Sequence, residues 1–179
     1  MPRYFAFLRA LNVGGHNVKM DQLRKIFESL SFKNVETFIA SGNVIFETDH
    51  HSVPDIERTI EQKLNDTLGY EVATFLRTDE NLAHLANYMP FNKKQMELAA
   101  TYVVGLAKSE LNQNQIDALM SFKTEIDDFH AQSTEVFWLC KTKQSESTFD
   151  PKKLERAISM PVTLRTIKTI RRLAAKYIS

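Results

Sequence analysis

Two short stretches of the chain carry residue types that could do chemistry. One is Asn12-Val13-Gly14-Gly15-His16-Asn17, preceded by Arg9 and followed by Lys19; the other is Ser41-Gly42-Asn43. Adjacent glycines reach positive φ without steric cost and let a ligand approach the backbone closely. Asn side chains, an imidazole, free helix-start amides and the cations Arg9 and Lys19 would supply donors to an anion or polar group. His16 could equally act as a general acid or base beside Arg9 as an electrostatic stabiliser, with Asp21 close enough in sequence to pair with it. The same residues also describe a plain strand-to-helix turn held by Asn12 and Asn17 plus an ordinary hairpin, and both readings stay open on sequence alone. The spacing is neither G-x-G-x-x-G nor a P-loop.

Other chemistry is thinner. His50 and His51 are adjacent, which is not the i, i+4 spacing of helical metal ligands, while His84 and His130 fall on separate elements, so no metal site and no cofactor are expected. Cys140 follows Trp138-Leu139 in an apolar run and reads as a buried small hydrophobe. Ser41 lacks the G-x-S-x-G elbow of a nucleophilic serine. The carboxyl end is basic, with Arg156, Arg165, Lys168, Arg171, Arg172 and Lys176 and no acid after Glu155. Arg165, Lys168, Arg171 and Arg172 could meet phosphate or an acidic protein, or simply form the solvated face of a docked helix.

These stretches need elements to position them. Tyr4 to Arg9 reads as a buried strand leading into the Gly14-Gly15 loop, and Met20, Leu23, Ile26, Phe27 and Leu30 form a helical stripe. Val35 to Ala40 and Val44 to Glu47 flank the hairpin turn. Pro54 at a first helical position, then Ile56, Ile60, Leu64 and Leu68, give a helix closed by Gly69, and Tyr70 to Arg77 is the next strand. The order is β-α-β-β-α-β, the split βαβ or ferredoxin-like motif. Its first two strands run parallel with the third between them, which brings the 12–17 loop and the 41–43 turn to one rim.

A connecting helix capped by Thr78 carries Leu82, Leu85 and Met89 and stops at Pro90. The order then restarts. Ala99 to Leu106 is a strand, Asn112 with Gln115 forms a capping box, and Ile126 to His130 and Glu135 to Cys140 flank a turn at Ala131-Gln132-Ser133. Asp150 caps a helix with Pro151 at its first position, Val162 to Arg165 is a short last strand, and Ile167, Ile170, Ala174 and Tyr177 stripe an added C-terminal helix. The sequence thus predicts an α+β protein of two tandem ferredoxin-like subdomains, residues 1–78 and 98–179, joined by a connecting helix and linker at 79–97. No residue-level repeat between the halves stands out. Halves this small bury modest cores, so they are expected to pack on each other through their helix-free sheet faces.

Composition narrows the classes. The 179 residues are 43% hydrophobic and carry a formal charge of +1, which builds in no global attraction to nucleic acid or anionic membrane. A single cysteine excludes an internal disulfide framework. No segment reads as a signal peptide or membrane span, so a cytoplasmic protein is expected. RNA-recognition domains share the β-α-β-β-α-β order, but their third strand carries a basic-Gly-aromatic pattern; Asn43-Val44-Ile45-Phe46-Glu47 has one aromatic and no cation, which makes nucleic acid a minor alternative.

A longer likeness runs through the same motifs. Arg3-Tyr4, Leu8-Arg9-Ala10-Leu11-Asn12-Val13-Gly14-Gly15, Asn17-Val18-Lys19-Met20 with Leu23, and Thr37-Phe38-Ile39-Ala40-Ser41-Gly42-Asn43-Val44-Ile45-Phe46 strongly resemble the bacterial domain-of-unknown-function family 1697. The resemblance covers nearly the whole chain and implies an α+β protein of this size, with no activity, substrate or catalytic residue attached. Members of that family commonly have Gly at the place of Ala10, a polar residue at Ala40, and Thr-x-Arg-Asn-Trp where this chain has Thr163-Leu164-Arg165-Thr166-Ile167. The expectation that follows is a binding module for a small polar or phosphorylated ligand at the rim. An enzyme using His16 there, or an interaction protein using the basic terminal helix, are the alternatives.

Overall fold

The computed structural model describes residues 1–39 and 42–178. It divides into two compact units, Met1–His84 together with the last residues from Tyr177, and Leu85–Lys176.

In the first unit, the continuous apolar run Tyr4–Leu8 makes Arg3–Leu8 a central strand buried on both faces. Tyr4, Ala6 and Leu8 point into the helix-side core, while Phe5 on the other face meets the ring of Tyr177 edge-on at 5.8 Å. This strand, β1, lies between β3 (Asn43–Glu47) and β4 (Thr74–Thr78), and β2 (Lys33–Thr37) lies outside β3, all antiparallel. Helices α1 (Met20–Glu28) and α2 (Val53–Leu68) cover one face with Leu23, Ile26 and Phe27 from the first and Ile56, Ile60 and Leu64 from the second. Each such buried side chain contributes roughly 1.5–3 kcal/mol. Gly69, at φ +83°, ends α2 in the left-handed cap that glycine adopts most cheaply.

Strand β4 is an edge, and α2 covers it. Glu61 accepts the Thr74 amide at 2.8 Å and the buried Glu57 accepts the Leu76 amide at 2.9 Å, so two carboxylates one helical turn apart take the donors that an edge strand otherwise presents.

The second unit repeats the arrangement with the order β6-β7-β5-β8, again antiparallel, from β5 (Thr101–Leu106), β6 (Asp127–Gln132), β7 (Glu135–Cys140) and β8 (Thr163–Thr166). Its helices are α5 (Gln113–Met120) and α6 (Pro151–Ile158), numbered after α3 (Asp79–Asn87) and α4 (Lys93–Leu98), with α7 (Ile167–Tyr177) at the end. Asn112 and Gln115 form the expected capping box, and Asp150 accepts the Lys152 amide ahead of Pro151. The buried Asp127 carboxylate accepts Trp138 Nε1 at 2.7 Å and Ser147 Oγ at 2.8 Å, tying the polar loop after β7 to the sheet.

Several boundaries differ from the sequence reading. Residues 90–98 contain α4, whose Asn92 and Gln95 make a second capping box of the same form as Asn112 and Gln115. Strand β2 starts earlier and stops at Thr37, because Asn34 (φ +50°) bulges it and Ile39 (φ +58°) turns out of the extended region. The hairpin of β6 and β7 is tighter than read, with pairing that reaches Gln132 and Glu135. Helix α7 buries Ile167, Ile170 and Leu173, whereas Ala174 is only half-buried.

A short repeat that went unread also emerges. Leu76-Arg77-Thr78 and Leu164-Arg165-Thr166 close the last strand of each unit. In both, the arginine Nη1 donates to the preceding leucine carbonyl at 2.8 Å, and the threonine hydroxyl accepts the amide three residues on, at 3.2 Å in one unit and 3.3 Å in the other.

Candidate functional site

At the carboxyl end of β1 the chain is tied on both sides. The Leu8 amide donates to the Gly42 carbonyl at 2.9 Å, and the Arg9 amide donates to the Ala73 carbonyl at 2.9 Å. Three segments therefore meet at this end of the sheet: the loop 9–19, Gly42 ahead of β3, and residues 69–73 ahead of β4.

Within the loop, Asn12 Oδ1 accepts the Val18 amide at 2.8 Å and closes the base. At the tip the His16 amide donates to the Val13 carbonyl at 3.2 Å, with Gly14 at φ +64° and Gly15 at φ +84°. Two successive positive φ values under such a bond are those of a type I′ turn, which explains a doubled glycine. Among the described residues, nothing lies within 4 Å of where a Cβ would stand on Gly14 or Gly15. The demand for glycine here is conformational, and the turn stands open.

His16 is exposed, and its ring stacks on Tyr70 with centroids 3.8 Å apart and planes 19° from parallel. The Tyr70 hydroxyl donates to the Leu11 carbonyl at 2.8 Å, and desolvation raises its pKa above the ordinary tyrosine value. Leu11 itself is buried, so this bond links the stack to the core.

The residues singled out in the sequence divide by role. Asn12 and Asn43 are engaged in holding backbone: Asn43 is 1% exposed and its Nδ2 donates to the Phe38 carbonyl at 3.0 Å. Gly42 (φ +76°) sits where a Cβ would be 3.2 Å from that of Leu8. Ser41, with Ala40, lies outside the described residues. Arg9 is half-buried, whereas His16, Asn17 and Lys19 are exposed on the loop. Asp21 pairs with Arg24 at 3.5 Å, one turn along α1.

Two non-glycine residues with positive φ lie at the same place, while Ser31, Asn34, Ser133 and Ser159 carry positive φ elsewhere. Ala10 and Ile39, both at φ +58°, join Gly14, Gly15 and Gly42 in the left-handed region. A non-glycine residue there costs about 1–2 kcal/mol, and Ile39, being β-branched, is the rarer case. Ile39 is 42% exposed and Val13 56%, so the rim also shows apolar surface. Tyr70, Ala73 and Ile39 were absent from the sequence reading of the rim; the signal for Tyr70 was its place directly after the helix-ending Gly69, before the alternation of β4 begins.

The basic carboxyl end is arranged differently from a continuous patch. Arg165 belongs to β8, donates to Thr163 Oγ1 at 2.9 Å and Leu164 O at 2.8 Å, and burial lowers its pKa to about 10. Arg171 bonds the Ala86 carbonyl at 3.3 Å and Met89 Sδ at 3.2 Å, while Lys168 and Arg172 are exposed on α7.

Clefts occur elsewhere too. One of about 280 Å³ in the second unit is lined by Lys94, Lys123 and Lys141 but also by Glu125, Asp127 and Asp128, and Asp128 already pairs with Lys123 at 3.4 Å. Its charges offset one another and select no ligand sign. Another, about 200 Å³, lies among Phe32, His50, His51, Asp55 and Ile56. Among the described residues no group of three or more His, Cys, Asp and Glu could hold a metal ion, and no helix is long and apolar enough to cross a membrane.

The family model "Protein of unknown function (DUF1697)" matches residues 1–137. The chain belongs to this family. The DUF1697 match takes in the whole rim and runs into the second unit. Among solved structures, the conserved bacterial protein SP0830 from Streptococcus pneumoniae is similar over 97% of each chain, with a TM-score of 0.75 and 21% sequence identity, a likeness of fold. No curated protein matches the chain.

Proposed function

We propose that this DUF1697 protein is a noncatalytic binding module that holds a small polar or phosphorylated ligand at the rim of its first unit. The observation that carries this reading is the preorganised loop: Asn12 fixes its base, the type I′ turn fixes its tip, and Tyr70 fixes His16, so little ordering remains to oppose binding. Neither the loop 9–19 nor residues 37–46 contain an acid, while Arg9 and Lys19 are cationic; against the single exposed Glu71 of the third segment, the loop's two cations favour an anion. Strained Ala10 and Ile39 at the same rim add support, since such backbone gathers at ligand-binding sites.

We read each unit as a ferredoxin-like subdomain and the pair as a duplication. The strand order β2-β3-β1-β4 recurs as β6-β7-β5-β8, and the Leu-Arg-Thr strand ends support common ancestry. Proton transfer by His16 has less behind it because Asp21 faces Arg24, and the basic-helix reading is weakened by the inward Arg165.

The test is thermal unfolding against inorganic phosphate, sugar phosphates, nucleotides and short RNA at two salt concentrations. A ligand at about 100 times its Kd adds roughly 2.7 kcal/mol, worth on the order of 5–10 °C. A salt-tolerant rise with one small phosphorylated class, lost in Lys19→Ala, supports the reading; no rise across the panel overturns it.

A further inference from the structure

The His16 ring is unusual among the polar groups of the rim because it is both exposed and immobilised. Tyr70 covers one face of the imidazole at 3.8 Å, Tyr70 is itself fixed through Leu11, and the His16 backbone is bonded into the tip turn. An exposed aromatic held flat in this way has lost its rotamer freedom before any ligand arrives. Stacking a planar ring on it then costs little ordering, and because every nucleobase has a π-face such stacking is tolerant of base identity. The apolar Val13, 56% exposed beside the glycine turn, offers further contact to a ring and none to a phosphate.

We infer that the open face of His16, backed by Tyr70, is a stacking platform for a planar aromatic ring, so that the ligand class is a mononucleotide: a base on His16 with its phosphate toward the cationic residues of the same loop. This rests on the rim being the binding site and names what it takes. A single fixed ring with two loop cations suits one nucleotide rather than a strand, which would need successive stacking residues. His16 then acts through its flat π-surface and not through its proton.

The experiment titrates the full chain with AMP, adenosine, ribose 5-phosphate and an oligo(A) of about eight nucleotides, reading thermal shift and the ring-proton NMR signals of His16 and Tyr70. AMP is expected to bind best, moving the His16 ring protons upfield. His16→Ala should weaken AMP about tenfold or more, while His16→Phe, which keeps a flat ring and removes the titratable nitrogen, should retain most of the affinity. Ribose 5-phosphate should be indifferent to either change. Equal loss in His16→Phe and His16→Ala overturns the platform in favour of imidazole chemistry. Ribose 5-phosphate binding as well as AMP, or AMP binding unaffected by His16→Ala, overturns the platform while leaving the rim as a phosphate site. Oligo(A) binding without AMP binding overturns the mononucleotide assignment, and no response to any of the four overturns both readings together.

Discussion

His16 and Tyr70 stack 3.8 Å apart, and the hydroxyl of Tyr70 reaches past the stack to donate to the carbonyl of Leu11 at the root of the same loop. One side chain thus fixes both ends of the loop's functional half: its ring holds the tip residue and its hydroxyl holds the base. The two roles can be separated by substitution. Tyr70→Phe keeps the ring and removes one hydrogen bond, for an expected loss of about 1 kcal/mol, or roughly 2–4 °C in Tm. Tyr70→Ala removes the stack as well, and amide exchange across residues 12–18 should then speed up well beyond that of Tyr70→Phe. Equal exchange in the two variants would show that the ring does not hold the loop.

Ala10 offers a test of where the strain lies. At φ +58° an alanine carries the steric penalty of the left-handed region, about 1–2 kcal/mol. Glycine would remove it at the expense of greater freedom in the unfolded chain, about 0.5–1 kcal/mol. Ala10→Gly is therefore expected to stabilise the protein by about 0.5 kcal/mol, and Ala10→Val to destabilise it by more than 1 kcal/mol. Urea unfolding midpoints read both, and the ordering Gly, Ala, Val is the outcome that matters.

The edge of the first sheet gives a larger effect. Glu57 is buried and its Oε1 accepts the Leu76 amide at 2.9 Å. Glu57→Ala strands that donor, for an expected loss of about 2–3 kcal/mol, whereas Glu57→Gln retains an acceptor oxygen and should lose markedly less. With the Leu76 amide left unpaired on the β4 edge while Glu61 still takes that of Thr74, Glu57→Ala should also raise concentration-dependent association modestly, since a partly open edge pairs with other strands. Denaturant unfolding and sedimentation at two protein concentrations check the two effects separately.

How far the sequence could be read follows from which interactions are local. Helix starts at Asn112 and Asp150 and the stop at Gly69 are written in neighbouring residues, and the fold shows them where they were expected; the apolar run read from Tyr4 to Arg9 is likewise a buried strand, spanning Arg3–Leu8. Helix α4 was missed although Asn92 and Gln95 carry the same signal as Asn112 and Gln115, because the stretch after Pro90 offers no buried stripe to accompany it. The approach of Gly42 to the loop after β1 was legible, since the strand order expected from the sequence brings both to one end of the sheet. Tyr70 was not, because its part depends on β4 starting only at Thr74 and on a hydroxyl reaching Leu11, a contact between distant segments. The sequence offered Asn12 and Asn17 together as holding the turn, and only the placed donors show that Asn12 closes the loop's base, that Asn43 holds the Phe38 carbonyl and that His16 stands exposed.

The second unit carries its own titration. Tyr102 in β5 is buried, and desolvation pushes its pKa up to about 12, with Arg171 pulling it down and Tyr88 pushing it up to lesser extents. Its hydroxyl donates to the Tyr88 carbonyl at 3.4 Å. The unfolded chain releases this proton near pH 10 while the folded chain holds it, so above that pH the folded state binds more protons and stability falls as pH rises. The contribution is fully present below about pH 10 and is lost progressively as pH approaches 12, by on the order of 1–2 kcal/mol. The measurement is a difference: denaturant unfolding of the parent and of Tyr102→Phe at about pH 8, 10 and 11. The parent should lose its margin over Tyr102→Phe as the pH climbs, and parallel curves would mean that the phenol does not ionise from a buried state.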